Sequence, residues 1–325
     1  MDKVTISDVA KKSGYGLGTV SRVIRGDKFV KESTRKKIQE IIDELHYVPN
    51  VNGARLRQKR SGVIAVMVPV INHPFFAELV EGVEQIADKN GCSLLLITSQ
   101  MNEEKEKEIL HKIHQKEIDG AIFVTHYKHD PQEFAGCALV SIDRHLSDDI
   151  PLVSSTNYES TKDALQYLFD KGARKLAFIG TKPNVESEVS LRKKAYDDFI
   201  SSHGLKPCSI YENINHGNEQ AFVDFHLEEL ASMDGIFASN NVLAQIIYKK
   251  ISALGKRFPD DVQLISYDGV FSLWDHAPTI TCIQQPIKEM AEQAFSILQD
   301  LIEDRPTVKS KILPTKMILG NTTKQ

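Results

Sequence analysis

Residues 12–26 read KSGYGLGTVSRVIRG, with glycine at three alternate positions, Gly14, Gly16 and Gly18. A dinucleotide fingerprint needs G-x-G-x-x-G directly after an apolar strand and at the opening of a helix. Here the spacing is G-x-G-x-G, and the preceding ISDVAKKS places Ile6, Val9 and Ala10 at helical spacing. A phosphate loop needs Gly-Lys followed by Ser or Thr, and Gly18 is followed by Thr19 and Val20. The stretch therefore reads as a turn and the start of a second helix. Gly14 makes the turn and Gly16 stands at the N-cap, where glycine is tolerated. Gly18 falls in the first turn, where glycine costs less than the roughly 1 kcal/mol of a helix interior. It leaves bare backbone that another surface can approach closely; the plain alternative is a glycine-rich turn that binds nothing.

Outward from this stretch, Val20, Val23 and Ile24, then Ile38, Ile41, Ile42 and Leu45, continue the helical spacing, so residues 4–47 form three short helices. The four-residue link Lys12–Tyr15 has the length and chemistry of a helix-turn-helix connection. Charge separates this head from the rest. Residues 1–62 hold 14 Lys and Arg against 7 Asp and Glu, while the remainder holds 26 against 37. A basic head on an acidic body suits a head that meets a polyanion. Thr19, Ser21 and Arg22 carry the groups for it: hydroxyls for phosphate oxygens and an arginine for a guanine edge.

After Pro49 a basic, weakly apolar stretch leads to Gly62, where the texture changes. Apolar runs occur at 63–68, 93–98, 120–124, 138–142, 175–179, 235–238 and 262–267, most of them separated by amphipathic stretches such as 74–89, 102–116, 160–171, 191–202, 218–230 and 241–254. Continuous apolar strands alternating with helices mean parallel sheets covered on both faces. About ten such strands over some 260 residues exceed one core, so two α/β lobes are expected.

The series VTISDVAKKSGYGLGTVSRVIRG, TRKKIQEIIDELHYVPN and ARLRQKRSGVIAVMVP resembles the lactose-repressor (LacI/GalR) family of bacterial transcription regulators, over essentially the whole chain. The resemblance implies a helix-turn-helix head over 1–48, a hinge helix over 49–61 and a core over 62–325. The core would be like the periplasmic binding proteins: two Rossmann-like parallel-sheet lobes with three crossovers, near Ser155, Gln285 and Pro314. One lobe would take 62–155 plus 286–313, the other 156–285 plus 314–325. The second helix would enter the major groove, with Leu17, Gly18 and Arg22 reading bases and the missing side chain of Gly18 shifting the reading onto Leu17 and Arg22. Thr5, Thr19, Ser21, Thr34, Tyr47 and Asn50 match phosphate contacts, though a surface hydroxyl is ordinarily just solvated. Leu56, flanked by Arg55 and Arg57, matches a leucine wedged into the minor groove; its alternative is packing on the core.

An effector is expected in the cleft between the lobes, beyond the carboxyl ends of the strands. By the same resemblance Phe75 and Phe76 would stack on its ring, with core packing as their alternative. Asp143, Arg192, Asn240 and Asp268 would bracket its hydroxyls beside Gln285 at a crossover; the alternative for Arg192 and Asp268 is a plain interlobe salt bridge. The chain departs from the family at Thr156, Ala195, Asn241, Gly320 and Lys31, the last a weaker cap than the usual serine. No leucine heptads follow residue 314, so a dimer on a near-palindromic double-stranded operator is expected, without a tetramerising tail.

Other chemistries find little support. Cys92, Cys137, Cys208 and Cys282 are scattered without a CxxC pair, as free thiols in a reducing cytosol would be. His111 with His114, and His126 with His129, are spaced three apart but lack a third ligand at a standard spacing, so no metal is expected. No G-x-S-x-G or HExxH motif is present, and neither catalysis nor a cofactor is expected. The opening MDKVTISDVAKK has no apolar core and no run approaches a membrane span, so the expected location is the cytoplasm, at the nucleoid. A solute-binding receptor for transport would have a leader and no basic head. The expected function is a repressor of carbohydrate-utilisation genes controlled by a sugar or sugar phosphate, with a purine-type co-repressor as the alternative within the family.

Overall fold

The structure, a computed structural model, describes residues 4–24, 26–47, 60–100, 102–125, 127, 129–270 and 279–325. The chain divides into two compact units, Met1–Ser61 and Gly62–Gln325. In the first, helices α1 (Ile6–Ser13), α2 (Leu17–Ile24) and α3 (Glu32–Glu44) close on Val9, Val20, Val23, Ile38, Ile42 and Tyr47. The apolar residues recur three to four positions apart, so each short helix presents one stripe to this core. Gly14 ends α1 in the left-handed region (φ 73°), and its N–H donates to Ala10 O at 3.1 Å. The Gly16 carbonyl accepts the N–H groups of Thr19 and Val20 and so opens α2. Lys31 precedes α3 without a side-chain cap.

In the second unit, strands β1 (Val63–Val68), β2 (Ser93–Thr98), β3 (Gly120–Phe123), β4 (Leu139–Ile142) and β5 (Leu152–Ser155) form one sheet with β11 (Ser310–Leu313), in the order β11-β5-β4-β3-β1-β2. All of its pairings are parallel. The other sheet has the order β12-β10-β9-β8-β6-β7, from β6 (Leu176–Thr181), β7 (Cys208–Glu212), β8 (Gly235–Ala238), β9 (Gln263–Asp268), β10 (Thr281–Gln284) and β12 (Lys316–Ile318). Only β12 runs antiparallel. Between the strands lie α4 (Pro74–Lys89), α5 (Glu103–His114), α6 (Asn157–Asp170), α7 (Ser190–Ser202), α8 (Glu219–Phe225), α9 (Leu227–Ala231), α10 (Asn241–Ala253) and α11 (Ile287–Ile302). The sheet interiors are closed on both faces, as β1 and β9 show: nearly every residue of VIAVMV and QLISYD is buried.

The chain leaves the first sheet after Ser155, returns after Gln284 through α11, which packs on α4, and crosses once more between Leu313 and Lys316. Hydroxyl groups tie these passages together. Ser160 Oγ lies 2.8 Å from Thr156 Oγ1 and 2.6 Å from Thr315 Oγ1. The final segment is held likewise: Thr322 Oγ1 donates to Leu264 O and accepts from Thr281 N, while Thr323 Oγ1 meets Thr281 Oγ1 at 2.7 Å.

Candidate functional sites: a helical face and an interlobe cleft

On α2 the buried Val20 and Val23 fix which side faces out. Leu17, 47 % exposed, and the exposed Gly18 and Arg22 share the outward side. Among the described residues nothing lies within 4 Å of a Cβ built on Gly18, so its bare backbone is open on that side. The Arg22 side chain has no ion-pair or hydrogen-bond partner among the described residues. Thr5 is exposed and uses its hydroxyl on Asp8 Oδ2 at 2.7 Å, while Thr19, Ser21 and Thr34 are half-buried. Tyr47 belongs to the core of the head and is 9 % exposed. Asn50, Arg55, Leu56 and Arg57 lie outside the described residues.

In the second unit the carboxyl ends of strands from both sheets face a common cavity. Its lining includes Phe75, Phe76, Asp143, Arg192, Asn240, Asp268 and Gln285. Each sheet has its strand order reversed beside β1 or β6, and a crevice opens at such a switch point. Phe75 and Phe76, their rings 5.5 Å apart, do double duty: they line the cavity and are buried in the core of the first lobe.

Arg192 is the centre of the arrangement. It sits in the first turn of α7, and one turn later the buried Tyr196 anchors that helix, its hydroxyl bonding at Leu176 and Cys208. Arg192 Nε donates to Asn157 Oδ1 at 2.6 Å and Nη1 to Ser239 O at 2.6 Å. Its guanidinium stacks 3.5 Å over the Tyr267 ring, and Nη1 lies 3.6 Å from Asp268 Oδ1. Arg192 and Asp268 both belong to the second lobe, so their pair does not bridge the two lobes. The interlobe link runs elsewhere: Ser155 Oγ donates to Gln285 Oε1 at 2.7 Å, and Gln285 Nε2 donates to Asp268 Oδ1 at 2.9 Å.

Asp143 follows β4 and Asp268 ends β9, with φ of 57° and 81°. Left-handed non-glycine residues cost about 1–3 kcal/mol and cluster where a site imposes them. Gly269 continues the turn at φ 60°, and a Cβ there would stand 2.5 Å from Gln284 Cα. Burial pushes the Asp143 carboxyl up, opposed by the charge of Arg192 and the Ser154 hydroxyl, which donates at 2.5 Å. Burial pulls Arg144 down to about 10, still charged at neutral pH. Asn240 Oδ1 caps α10 by accepting Leu243 N at 2.9 Å, so the donor half of its amide is what it can offer a ligand. Carboxylates, amides, a guanidinium and two rings thus share one crevice.

The cavity also includes His73, Arg144, Lys182, Asn184, His216 and Glu219, which sequence reasoning did not single out. His73 had a local signal, standing just before Pro-Phe-Phe at the start of α4; Arg144, Lys182, Asn184 and His216 lie on loops after β4, β6 and β7, Glu219 opens α8, and their approach is purely tertiary. His129 pairs with Glu106 and Glu133, and His114 Nε2 lies 3.0 Å from Ala135 O; His126 is outside the described residues. Among the described residues no helix is long and apolar enough to cross a membrane.

Residues 5–50 match the model of bacterial regulatory proteins of the lacI family, and residues 165–323 match that of a periplasmic binding protein-like domain. The chain is 31 % identical to the ribose operon repressor of Halalkalibacterium halodurans, over 98 % of this chain and 97 % of the relative. It resembles a periplasmic binding protein/LacI transcriptional regulator from Alkaliphilus metalliredigens complexed with D-xylulofuranose, at 26 % identity and a TM-score of 0.73. That likeness covers 82 % of this chain and 100 % of the other. The fold is also that of the lac repressor dimer bound to operator, at 22 % identity and a TM-score of 0.82 over 99 % of each chain.

Proposed function

The chain belongs to the lacI family of bacterial regulatory proteins, and we propose that it is a sequence-specific repressor of carbohydrate-utilisation genes whose hold on its operator is set by a sugar in the interlobe cleft. The observation that carries this reading is the convergence of Asp143, Arg192, Asn240, Asp268 and Gln285 with Phe75 and Phe76 on one cavity. The hydrogen-bonding groups suit ring hydroxyls and the phenyl rings suit the apolar face of a sugar. The ribose operon repressor and the D-xylulofuranose complex among its relatives support the same class. The protein acts as a homodimer in the cytoplasm, catalyses no reaction, and reads a near-palindromic operator with one head per half-site. Effector binding shifts the population between lobe orientations, and operator affinity follows.

A thermal-shift panel of sugars, sugar phosphates and purines tests the cleft, since a ligand at 100 times its Kd stabilises by about 2.7 kcal/mol. A sugar that stabilises the protein and also releases operator DNA bears the reading out; a purine that stabilises it while sugars do nothing refutes it. On the head, Leu17, Gly18 and Arg22 read bases, while Thr5, Thr19, Ser21, Thr34, Tyr47 and Asn50 hold phosphates. Arg22→Ala is expected to weaken operator binding by about 1–3 kcal/mol and relax preference at one base pair per half-site. Selection from randomised palindromes checks this; a uniform loss across all sequences would make Arg22 a phosphate contact. Leu56, between Arg55 and Arg57, forms the minor-groove wedge. Leu56→Ala should lower operator affinity and leave effector affinity unchanged in calorimetry, and an equal drop in both would remove the wedge assignment.

A further inference from the structure

Both lobes repeat one device at the strand ends that face away from the cleft. An Asp-Gly pair leads the chain into β3 and again into β8: Asp119-Gly120 and Asp234-Gly235. In the second lobe the Asp234 carboxylate holds the chain just before β6, accepting Arg174 N at 2.9 and 3.0 Å and Lys175 N at 2.7 Å. In the first lobe Asp119 Oδ2 holds the chain just before β1, accepting Gly62 N at 2.7 Å. The positions correspond: Gly120 stands opposite Ile64 and Gly235 opposite Leu176, and the gripped Gly62 and Arg174 each lie two residues before that partner. Gly62 is fastened from its other side as well, since Ser93 N donates to Gly62 O at 2.8 Å and Asp119 N to Val63 O at 2.8 Å. Gly62 turns there at φ 67°, a region glycine enters without penalty. What differs is the chain that is held. Before β6 runs the short return from α6 within the same lobe, whereas before β1 runs the segment that joins the core to the basic head.

We propose that Asp119 is a positioning residue for operator binding: its carboxylate clamps Gly62, the first residue of the core, and so fixes the point from which the linker reaches to the head. This rests on the reading of the head as an operator reader. A carboxylate accepting a backbone N–H makes a charge-assisted bond, stronger than a neutral one. With the clamp gone, the freed end of the linker must be ordered again each time a head docks, once per half-site, and that cost is subtracted from binding. The clamp stands at the amino ends of β1 and β3, and the cavity lies beyond the carboxyl ends of the strands. It therefore acts on the tether and leaves the cleft alone. Asp234 supplies the internal comparison, because the same grip there holds no tether.

Asp119→Ala and Asp234→Ala in the full-length protein form the matched pair, and the probe is a palindromic duplex that the wild type selects from a random library. Asp119→Ala is expected to bind it about ten-fold more weakly. Trypsin, cutting at Arg55, Arg57, Lys59 or Arg60, should release the head about ten-fold faster, while urea unfolding of the core stays cooperative. Asp234→Ala loses more hydrogen bonds and should lower the urea midpoint at least as far, yet keep wild-type duplex affinity and head release. Asp119→Asn retains an acceptor for Gly62 and should recover most of both. Equal loss of affinity in the two alanine variants, or none in Asp119→Ala, would overturn the inference. Hydrogen exchange on the wild type reads the clamp without any variant: the Gly62 amide should be protected as strongly as those of β1. Rapid exchange there would overturn the clamp even if Asp119→Ala does not fold. A wild type that selects no palindrome would instead refute the operator reading, and head release and exchange would still decide whether Asp119 holds the tether.

Discussion

Arg192→Ala is expected to abolish the response to effector and to destabilise the core by about 3–5 kcal/mol, the usual consequence of removing one partner from a buried ion pair. The guanidinium and Asp268 side chains are 3 and 6 % exposed, so water does not replace what is lost. Three places lose a shared partner at once: the start of α6 at Asn157, the residue after β8 at Ser239 and the ring of Tyr267. Urea unfolding measures the stability term, and the effector-induced shift in melting temperature measures the binding term. Arg192→Lys separates the two. A single ammonium cannot bond Asn157 and Ser239 in the fork geometry of arginine, nor stack flat on Tyr267. It should therefore retain the fold and still lose most effector affinity. An unchanged ligand-induced shift in the lysine variant would show that Arg192 is structural only.

Arg192 itself is legible in the sequence. The arginine followed from the motif resemblance, but its partners did not, because Asn157 and Ser239 lie 35 and 47 residues away. Strands were legible where both faces are buried, as in VIAVMV and QLISYD, since a continuous apolar run is then obligatory. β5 escaped because half of Leu152–Ser155 is serine, and those hydroxyls serve the polar network at the crossovers rather than the core. β11 is a largely exposed edge, and SKIL has no apolar run to find. The closing threonines were silent for the same reason: they hold the tail through hydroxyl bonds, which leave no periodic trace. Gly18 was legible locally because its neighbours Val20 and Val23 fix the helical phase, whereas nothing local announces which loops share the cleft mouth. His129 is the plainest failure of local reading. Spacing set it beside His126, but its partner is Glu106, 23 residues back on α5.

That pairing supports a prediction about pH. His129 and Glu106 have fully buried side chains; Nε2 lies 2.6 Å from Glu106 Oε2, and Nδ1 lies 3.1 Å from Glu133 Oε2. Thr125 donates to the same Glu106 oxygen at 2.5 Å. Both ring nitrogens face carboxylate oxygens, which only accept, so both carry protons and the ring is an imidazolium. Burial works against that charge, and the bonds and charges of Glu106 and Glu133 overcome it, holding the ring above its ordinary pKa of 6.5. A group whose folded pKa is raised stabilises fully below its unfolded value and loses that contribution as pH rises through the folded one. His129→Ala, which removes the cation facing a buried carboxylate, should therefore cost about 3–5 kcal/mol near pH 6, with the gap to wild type closing at alkaline pH. His129→Gln keeps the volume and a donor without the charge, and its stability should lack the alkaline decline seen in the wild type. Urea midpoints taken from pH 6 to pH 9 decide the matter. If the difference between wild type and glutamine variant stays constant across that range, the ring is neutral in the folded protein. The cluster then fastens the loop after β3 to α5 by hydrogen bonds alone.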